Sequence, residues 1–376
     1  MVRNVDCVRL IYGDTMKEQQ YVVGGAVRDV LLGFNPKDID YVWVNSSHDK
    51  LIAKGFQQVG SSFPVYLDCA GDEHALARQE RKTAAGGYYG FECTVDSITI
   101  DQDLQRRDLT INSLAVRVED WDTFVCSKNE SLVIDPYGGI IDLDRKTLRH
   151  TSDAFVEDVI RLLRTARFAA RYGFDVDKST IELMRSIVPE LAHVPQERIW
   201  VEFEKGLMEP NPYPMLQVLS ECGALAEDGP LGIYSHCTPL GDEFPRHADL
   251  TTRAVLVLAK DYADHVYEHH RIPSDIVRVN RSFHCNRDTI QNWSRCSPEF
   301  RIRCFEFMRA FSDIELLNKV VKVAVQWFGV TGFDLKQLNE DLKKARSVDA
   351  AAIAADCINK SDIKNRIFEA RVAALK

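Results

Sequence analysis

Short apolar runs separated by turn residues fill the first third of the chain, and a helical period replaces them beyond it. Tyr21–Val23, Tyr41–Val44, Val65–Leu67, Ser97–Ile100, Ser113–Val118 and Leu132–Ile134 read as β-strands. Turn signals stand between them at Gly71-Asp72, Gly86-Gly87 and Pro136-Tyr137-Gly138-Gly139. From Thr151 onward the apolar positions recur at helical spacing, broken by loops near Glu209–Pro214 and Glu227–Pro239. The pattern predicts an α+β chain: a mixed sheet with helices as the head, followed by an all-helical remainder. There is no internal repeat and no low-complexity tract.

Candidate chemistry begins inside the first two predicted strands, in YVVGGAVRDVLLGFNPKDIDYVWV, residues 21–44. This reads as strand, Gly-Gly turn, short helix, loop and a second strand carrying Asp38 and Asp40. Residues i and i+2 of an extended segment share a face, so the two carboxylates are expected side by side. Such a pair suits Mg²⁺, a hard cation commonly held by one or two carboxylates and substrate phosphates. Gly24 and Gly25 let a phosphate approach backbone N–H groups with no Cβ in the way. The helix entered at Ala26 adds N-terminal donors, and Arg28 adds a fixed charge. A lone Gly-Gly is ordinarily a turn, and a lone Asp-x-Asp is ordinarily solvated surface. Together at this spacing they supply a phosphate cradle and a metal clamp, the parts that nucleotidyl transfer needs.

Two further stretches carry charge in a pattern. In Arg106-Arg107-Asp108-Leu109-Thr110-Ile111-Asn112, two arginines beside an aspartate could bind a triphosphate and ribose while the acid orients a guanidinium. An exposed ion pair at a helix start is the plainer alternative. In the second stretch, Glu157–Arg171, Ser152 or Asp153 is expected to cap a helix with acids in its first turn. At about 100° per residue, Arg161, Arg164, Arg167 and Arg171 fall on one face. Leu162, Leu163, Ala166, Ala169 and Ala170 fall on the other. Four like charges with few acids to balance them are costly unless an anion is near, and a triphosphate would supply it. Asp158 and Arg161, one turn apart, could address one edge of a base. Cytosine and adenine each present an amino donor beside a ring-nitrogen acceptor, whereas uracil and guanine do not. A carboxylate and a guanidinium complement C and A in that order.

Composition narrows the setting. A length of 376 residues allows more than one core, and the charged and hydrophobic fractions are those of an ordinary soluble protein. The N-terminal MVRNVDCVRLIYGD lacks the apolar core of a signal peptide, and Ala254–Ala259 is among the longer apolar runs. A cytoplasmic location without membrane contact is the expectation. The ten cysteines form no CxxC pair, which speaks against a zinc ribbon or disulfide framework. A net charge of −9 speaks against non-specific coating of nucleic acid, although a local basic face can still serve a nucleic acid substrate.

GGAVRDVLLG followed by KDID, together with RRDLTINSLA, resembles the first two motifs of class II tRNA nucleotidyltransferases and bacterial poly(A) polymerases, members of the polymerase-β-like nucleotidyltransferase superfamily. Within residues 20–210 the likeness is to the gammaproteobacterial type of CCA-adding enzyme, carried by GFQQVGSSFPVYL, ALARQERK and RLLRTARFAARYGF. The resemblance implies template-independent addition of the 3′-terminal CCA of tRNA from CTP and ATP, with Mg²⁺ at Asp38 and Asp40 as catalytic and metal residues. It implies that Gly24, Gly25, Arg28, Arg107, Asp108, Glu157, Asp158, Arg161, Arg164 and Arg167 bind the nucleotide. Glu157-Asp158-Val159-Ile160-Arg161 matches the motif that reads the base in that family. The Gly-rich segment within Glu80–Asp103 corresponds to a flexible loop associated there with the switch to the final A. The stretch from Val194 to Glu202 resembles the family's next motif and is read as structural bracing at Glu197, Arg198 and Glu202.

The implied division is a nucleotidyltransferase head at 1–144, a helical neck for base recognition at 145–210, a helical body at 211–310 and a helical tail contacting tRNA at 311–376. One departure stands out. Relatives of this type carry a phosphohydrolase domain with a His-Asp pair, but here Ala259-Lys260-Asp261 falls in that place, so no phosphohydrolase activity is expected. Glu73, Glu80 and Glu92 are open candidates for a third metal carboxylate. The alternatives are a bacterial poly(A) polymerase, against which the absence of a long basic extension counts, and a non-catalytic RNA-binding protein. The Asp38/Asp40 pair speaks against the latter. No obligate protein partner is expected.

Overall fold

In a computed structural model, residues 17–60, 64–82, 91–94, 98–234, 245, 247–258, 260–329 and 331–376 are described. The expected loop at 83–90 and the N-terminal segment 1–16 lie outside them, as does the end of the Glu227–Pro239 loop. The chain divides into two compact units that meet between Val194 and Pro195.

The first unit is built on a seven-stranded mixed sheet of order β3-β4-β5-β2-β1-β8-β9. Its strands are β1 (Gln19–Val23), β2 (Asp40–Val44), β3 (Gln57–Val59), β4 (Val65–Leu67), β5 (Glu73–Leu76), β8 (Ala115–Arg117) and β9 (Val133–Ile134). A separate hairpin joins β6 (Gln79–Lys82) to β7 (Phe91–Thr94). Strand β2 lies between antiparallel β1 and parallel β5, with Val23 opposite Asp40 and Asp40 beside Glu73. Alternation along β2 sends Val42 and Val44 into a cluster with Tyr21, Val23, Ile98, Leu104 and Ala115. Trp43 packs on the other face with Leu51, Tyr66, Leu76 and Phe56. Both faces of this central strand are therefore covered, which fixes its register and the position of Asp40 at its start.

Helices of the first unit are α1 (Gly25–Leu31), α2 (His48–Ala53), α3 (Ile100–Gln105), α4 (Trp121–Ser127), α5 (Gly139–Asp144), α6 (Ile160–Tyr172) and α7 (Lys178–Ile187). A short parallel pair, β10 (Thr147–Leu148) and β11 (Asp175–Val176), interrupts the helical region.

Several local expectations are corrected. Of the strand expected at Ser97–Ile100, Ser97 lies outside the described residues and Ile98–Ile100 form no strand: Thr99 accepts from Gln102 N and Gln102 Oε1 accepts from Thr99 N, a reciprocal cap that opens α3. Arg106 and Arg107 close that helix rather than open one, which suits cations at a helix C-terminus. The segment Thr110–Asn112 that follows is a single 3₁₀ turn. Ser152 does cap, but it caps the 3₁₀ turn Asp153–Glu157, and α6 starts only at Ile160. Glu157 and Asp158 thus precede the helix instead of occupying its first turn. The loop expected at Glu209–Pro214 is cut short because α9 (Tyr213–Glu221) begins inside it.

The second unit is helical among its described residues. It comprises α8 (Gln196–Leu207), α9, α10 (Leu250–Val257), α11 (Asp264–His269), α12 (Ser274–His284), α13 (Arg287–Gln291), α14 (Pro298–Phe307), α15 (Ile314–Phe328), α16 (Leu335–Arg346), α17 (Ala350–Ala355) and α18 (Ile363–Leu375). Buried Arg253 on α10 donates to the Leu207 and Glu209 carbonyls at 2.6 and 2.8 Å, satisfying the exposed end of α8. Asp261 accepts from Arg281 Nε at 3.2 Å and from the Tyr267 hydroxyl at 3.0 Å. No described helix is long and apolar enough to cross a membrane.

Candidate nucleotidyl-transfer site

The site grows from the end of β1. Gly24 leaves that strand with φ +70, donates its N–H to the Leu114 carbonyl at 2.8 Å, and forms the cap of α1. The positive φ requires glycine at this turn, and a Cβ built there would meet Arg107 Nη1 at 2.8 Å and push that guanidinium aside. Because Val23 faces Asp40 in register, the turn lies next to the Asp40 end of β2. Asp38 sits in the bend before β2, outside the strand, which differs from the expected pairing on one extended segment. The two carboxylates nevertheless interact: loss of hydration raises the Asp40 pKa, Arg107 draws it down, Asp38 pushes it up and Arg164 draws it down again. Asp40 remains exposed as a residue, and Asp38 is exposed too.

Arg107 is placed by α3. Asp103, fully buried near the end of that helix, pairs with Arg106 at 2.8 Å and with Arg107 at 3.2 Å. Burial alone would raise the Asp103 pKa, yet the two guanidinium groups hold it below the usual carboxylate range. Arg28, by contrast, is buried and turns back under the site. It donates to Asn112 Oδ1 and, through Nε and Nη2, to Asp29 Oδ1 at 2.9 and 2.7 Å.

The base-reading candidates lie around the start of α6. Asp108 is buried, and each of its oxygens is engaged. Oδ1 accepts from Leu109 N and Asn112 Nδ2 at 2.9 Å, and Oδ2 from Arg164 Nε at 2.8 Å. Burial works against its ionised form, but Arg164, Asn112 and Arg161 hold its pKa well below the ordinary range. The Asp158 carbonyl accepts from Arg161 N at 3.0 Å, and its Oδ1 accepts from Ile160 N at 3.1 Å. Arg161 is buried and its Nη1 donates to the Ala154 carbonyl at 2.7 Å. Arg167 is buried with its guanidinium 4.7 Å from the Phe168 ring centroid. Glu157 ends the preceding 3₁₀ turn.

The arginine stripe therefore finds acids within the protein, Asp108 for Arg164 and Asp29 for Arg171, instead of waiting for a ligand anion. Strand register and electrostatics bring Gly24, Asp38, Asp40, Arg107 and Arg164 together. Arg28 and Asp108 form the layer beneath. Sequence reasoning missed Asp29, Asp103 and Asn112. The i, i+3 and i, i+4 spacing of Asp103 to Arg106 and Arg107 was the available signal for one of them. Glu73 shares a register position with Asp40, but among the described residues no three His, Cys, Asp or Glu side chains are grouped to hold a metal ion. The Glu80 and Glu92 side chains lie outside the described residues.

Comparison with known proteins agrees with this architecture. The Poly A polymerase head domain family matches residues 20–149, and the family described as the probable RNA and SrmB- binding site of polymerase A matches residues 173–227. A multifunctional CCA protein of Neisseria meningitidis serogroup A is 52% identical over 211 residues, which cover 55% of this chain and 48% of that protein. The match thus spans about half the length of that relative. The multifunctional CCA protein of Azoarcus sp. is 36% identical, covering 95% of this chain and 96% of its own. Among solved structures, a CCA-adding enzyme with ATP superposes with a TM-score of 0.64 at 20% identity, covering 100% of this chain and 91% of that one. The Bacillus stearothermophilus CCA-adding enzyme in complex with CTP gives 0.63 at 22% identity, covering 95% and 89%. At those identities the structural likeness speaks for the fold, a polymerase-β-like head followed by helices. The near-full-length match to the Azoarcus protein settles the lineage: the chain belongs to the multifunctional CCA protein family.

Proposed function

We propose that this chain adds or repairs the 3′-terminal CCA of tRNA, using CTP and ATP and choosing them with protein side chains. The observation that carries this reading is the Val23–Asp40 register, which sets a carboxylate beside the Gly24-Gly25 turn in a chain of this family. Relatives of the same fold are a CCA-adding enzyme with ATP and one with CTP.

Asp38 and Asp40 fit Mg²⁺: both offer oxygen donors, and burial, together with the neighbouring Asp38 charge, raises the Asp40 pKa in a way a dication would relieve. Bound there, Mg²⁺ would favour ionisation of the attacking tRNA 3′-hydroxyl and neutralise charge on the leaving pyrophosphate. With the Gly24 N–H committed to the Leu114 carbonyl, the Gly25 N–H at the start of α1 is the backbone donor offered to the triphosphate. Arg107, aimed across Gly24 by Asp103, and Arg164, aimed by Asp108, supply fixed positive charge where negative charge grows during transfer. Asp108 and Arg28 work through these neighbours, as anchors of the nucleotide site. Asp158 accepts from the amino group of C or A, Arg161 donates to the adjacent ring nitrogen, and Glu157 and Arg167 flank them. The head, neck, body and tail boundaries given above are part of this proposal, as are a cytoplasmic location and tRNA contact by the tail.

The polymerase-A matches at 20–149 and 173–227 favour a second reading, a bacterial poly(A) polymerase. One gel assay separates the readings. A labelled tRNA lacking CCA is incubated with each nucleotide and with CTP and ATP together. Ordered addition of two C and one A supports the proposal, a run of A favours the second reading, and no extension removes both.

A further inference from the structure

We propose that Asp29 is a positioning residue that couples base choice to phosphate seating, by latching the end of α6 onto α1. The inference rests on the reading of this site as one that selects CTP and ATP.

Asp29 lies next to Arg28 on α1 and pairs with it, yet two further partners come from the far end of α6. Its Oδ1 accepts from the Tyr172 hydroxyl at 3.2 Å, and its Oδ2 lies 3.8 Å from Arg171 Nη2. Arg171 and Tyr172 are the last residues of α6 before Gly173 ends it in the left-handed conformation. The same Oδ1 receives both the Nε and Nη2 of Arg28. The Arg28 guanidinium in turn lies over the Phe168 and Tyr172 rings, 5.3 and 5.1 Å from their centroids. Burial keeps the Tyr172 hydroxyl protonated, with its pKa pushed up to about 12, so it remains a donor to Asp29.

A second route joins the two helices. Arg28 donates to Asn112 Oδ1, Asn112 Nδ2 donates to Asp108 Oδ1, and Asp108 Oδ2 holds Arg164 near the middle of α6. Helix α6 is therefore pinned to α1 at Arg164 and again at Arg171 and Tyr172, roughly 10–12 Å apart along its axis. A rod held at one point can pivot, and a rod held at two cannot. Arg161, the base-reading guanidinium, stands one turn beyond the first pin and would swing if the second were released. At the α1 end, Arg28 Nη2 would lie 3.4 Å from a Cβ at Gly25, so the guanidinium that Asp29 orients packs directly beneath the phosphate turn. Base edge and phosphates are thereby referred to one rigid frame, and selectivity depends on that geometry being held closely.

The test uses two variants. Asp29→Asn keeps the shape and an accepting oxygen but removes the charge. Tyr172→Phe keeps the ring over Arg28 and removes only the hydroxyl. For each, kcat/KM is measured for CTP, ATP, UTP and GTP on a tRNA lacking CCA, together with Tm and tRNA affinity. Asp29→Asn is expected to lose about tenfold of the preference for CTP over UTP, the scale of one charge-assisted hydrogen bond, with tRNA affinity unchanged. Tyr172→Phe should lose less, in the same direction. An equal fall for all four nucleotides, or a lower Tm with the preference intact, overturns the proposal and leaves Asp29 as support for the fold. If Asp29→Asn does not fold, unchanged preference in Tyr172→Phe overturns it. A wild-type chain that adds neither C nor A removes the underlying reading, and this proposal with it, which is distinct from every result above.

Discussion

Arg164 Nε donates to Asp108 Oδ2 at 2.8 Å, joining residues 56 positions apart in the chain. The carboxylate is buried, whereas the Arg164 side chain keeps 38% of its surface open, and its charge reaches Asp40. Asp108→Asn should therefore act through Arg164. Losing the charge leaves the guanidinium unaimed, and kcat/KM for CTP should fall by about 10²–10³, the scale of removing one donor that stabilises developing charge. Stability should fall less than for a fully buried pair, by about 1–3 kcal/mol, because Arg164 can turn to water. Comparing urea denaturation with single-turnover kinetics checks both halves. A stability loss with normal kinetics would return Asp108 to a purely structural role.

Burial and the neighbouring Asp38 charge together outweigh Arg107 and Arg164 in raising the Asp40 pKa, and that net cost of the ionised form gives its substitution an unusual signature. Asp40→Asn should reduce nucleotide addition at least about 10³-fold, near 4 kcal/mol of barrier, while leaving Tm equal to or above wild type. Loss of activity accompanied by a lower Tm would point to a folding defect. Activity within about tenfold of wild type would remove Asp40 from the chemistry.

In the second unit, Asp341 is fully buried and satisfied by three donors. Trp293 Nε1 and Gln337 Nε2 lie at 2.9 Å and Arg301 Nη1 at 3.0 Å. Asp341→Ala should cost about 3–5 kcal/mol, since it strands a largely buried guanidinium and an indole N–H. Replacing Asp341 by Asn keeps an acceptor and should cost less. Chemical denaturation followed by intrinsic fluorescence measures both, and equal effects would argue that the charge rather than the shape of Asp341 matters there.

Stability should also fall in mild acid. His284 donates its Nε2–H to the Leu258 carbonyl at 2.8 Å and packs against Phe283 and Trp327, and burial lowers its pKa to about 4. Because the folded value lies below that of the unfolded chain, the unfolded state binds the proton first. The contribution is complete above about pH 6.5 and is lost as the pH falls from there toward 4. Between about pH 6.5 and 5 the loss should be about 2 kcal/mol. His284→Gln keeps a donor for Leu258 and removes the titration, so its stability should vary less over that range. A variant with the same slope as wild type would place the acid sensitivity elsewhere, for example at His270, whose pKa burial also lowers to about 4.

Much of this site was legible in the sequence because its parts are local. Gly24-Gly25, Asp38-x-Asp40 and the arginines of α6 each declare themselves by spacing within a few residues. What was not legible is how they are held. Asp108 was read as a partner of its neighbours in RRD, but its partner Arg164 comes from α6, and no period in the sequence encodes that pairing. Asp29 was not singled out at all, because its link to Tyr172 exists only after α1 and α6 pack. The strand reading failed at Ile98–Ile100 because β-branched Ile98 and Thr99 favour strands, whereas the capping box at Thr99 and Gln102 decided for a helix. The same competition explains α6, whose start was placed too early because Ser152 caps a separate 3₁₀ turn.

The base-reading assignment makes the narrowest demand on the structure. Asp158 precedes α6 in an extended conformation, its Oδ1 tied to Ile160 N, while Arg161 is steadied through Nη1 by the Ala154 carbonyl. Each residue thus has one atom committed to holding its side chain in place, as a rigid reader requires. Asp158→Ala should relax discrimination against UTP and GTP by about 1–3 kcal/mol, more than it lowers the rate with CTP, because the amino-group contact is lost while the phosphate site stays intact. Arg161→Ala should do the same through the ring nitrogen. The double variant should lose less than the sum, since both side chains address one base edge. The measurement is kcat/KM for four nucleotides on a tRNA lacking CCA. If both single variants retain the wild-type preference for CTP and ATP, Asp158 and Arg161 only shape the entry to α6, and the base must be read by other groups.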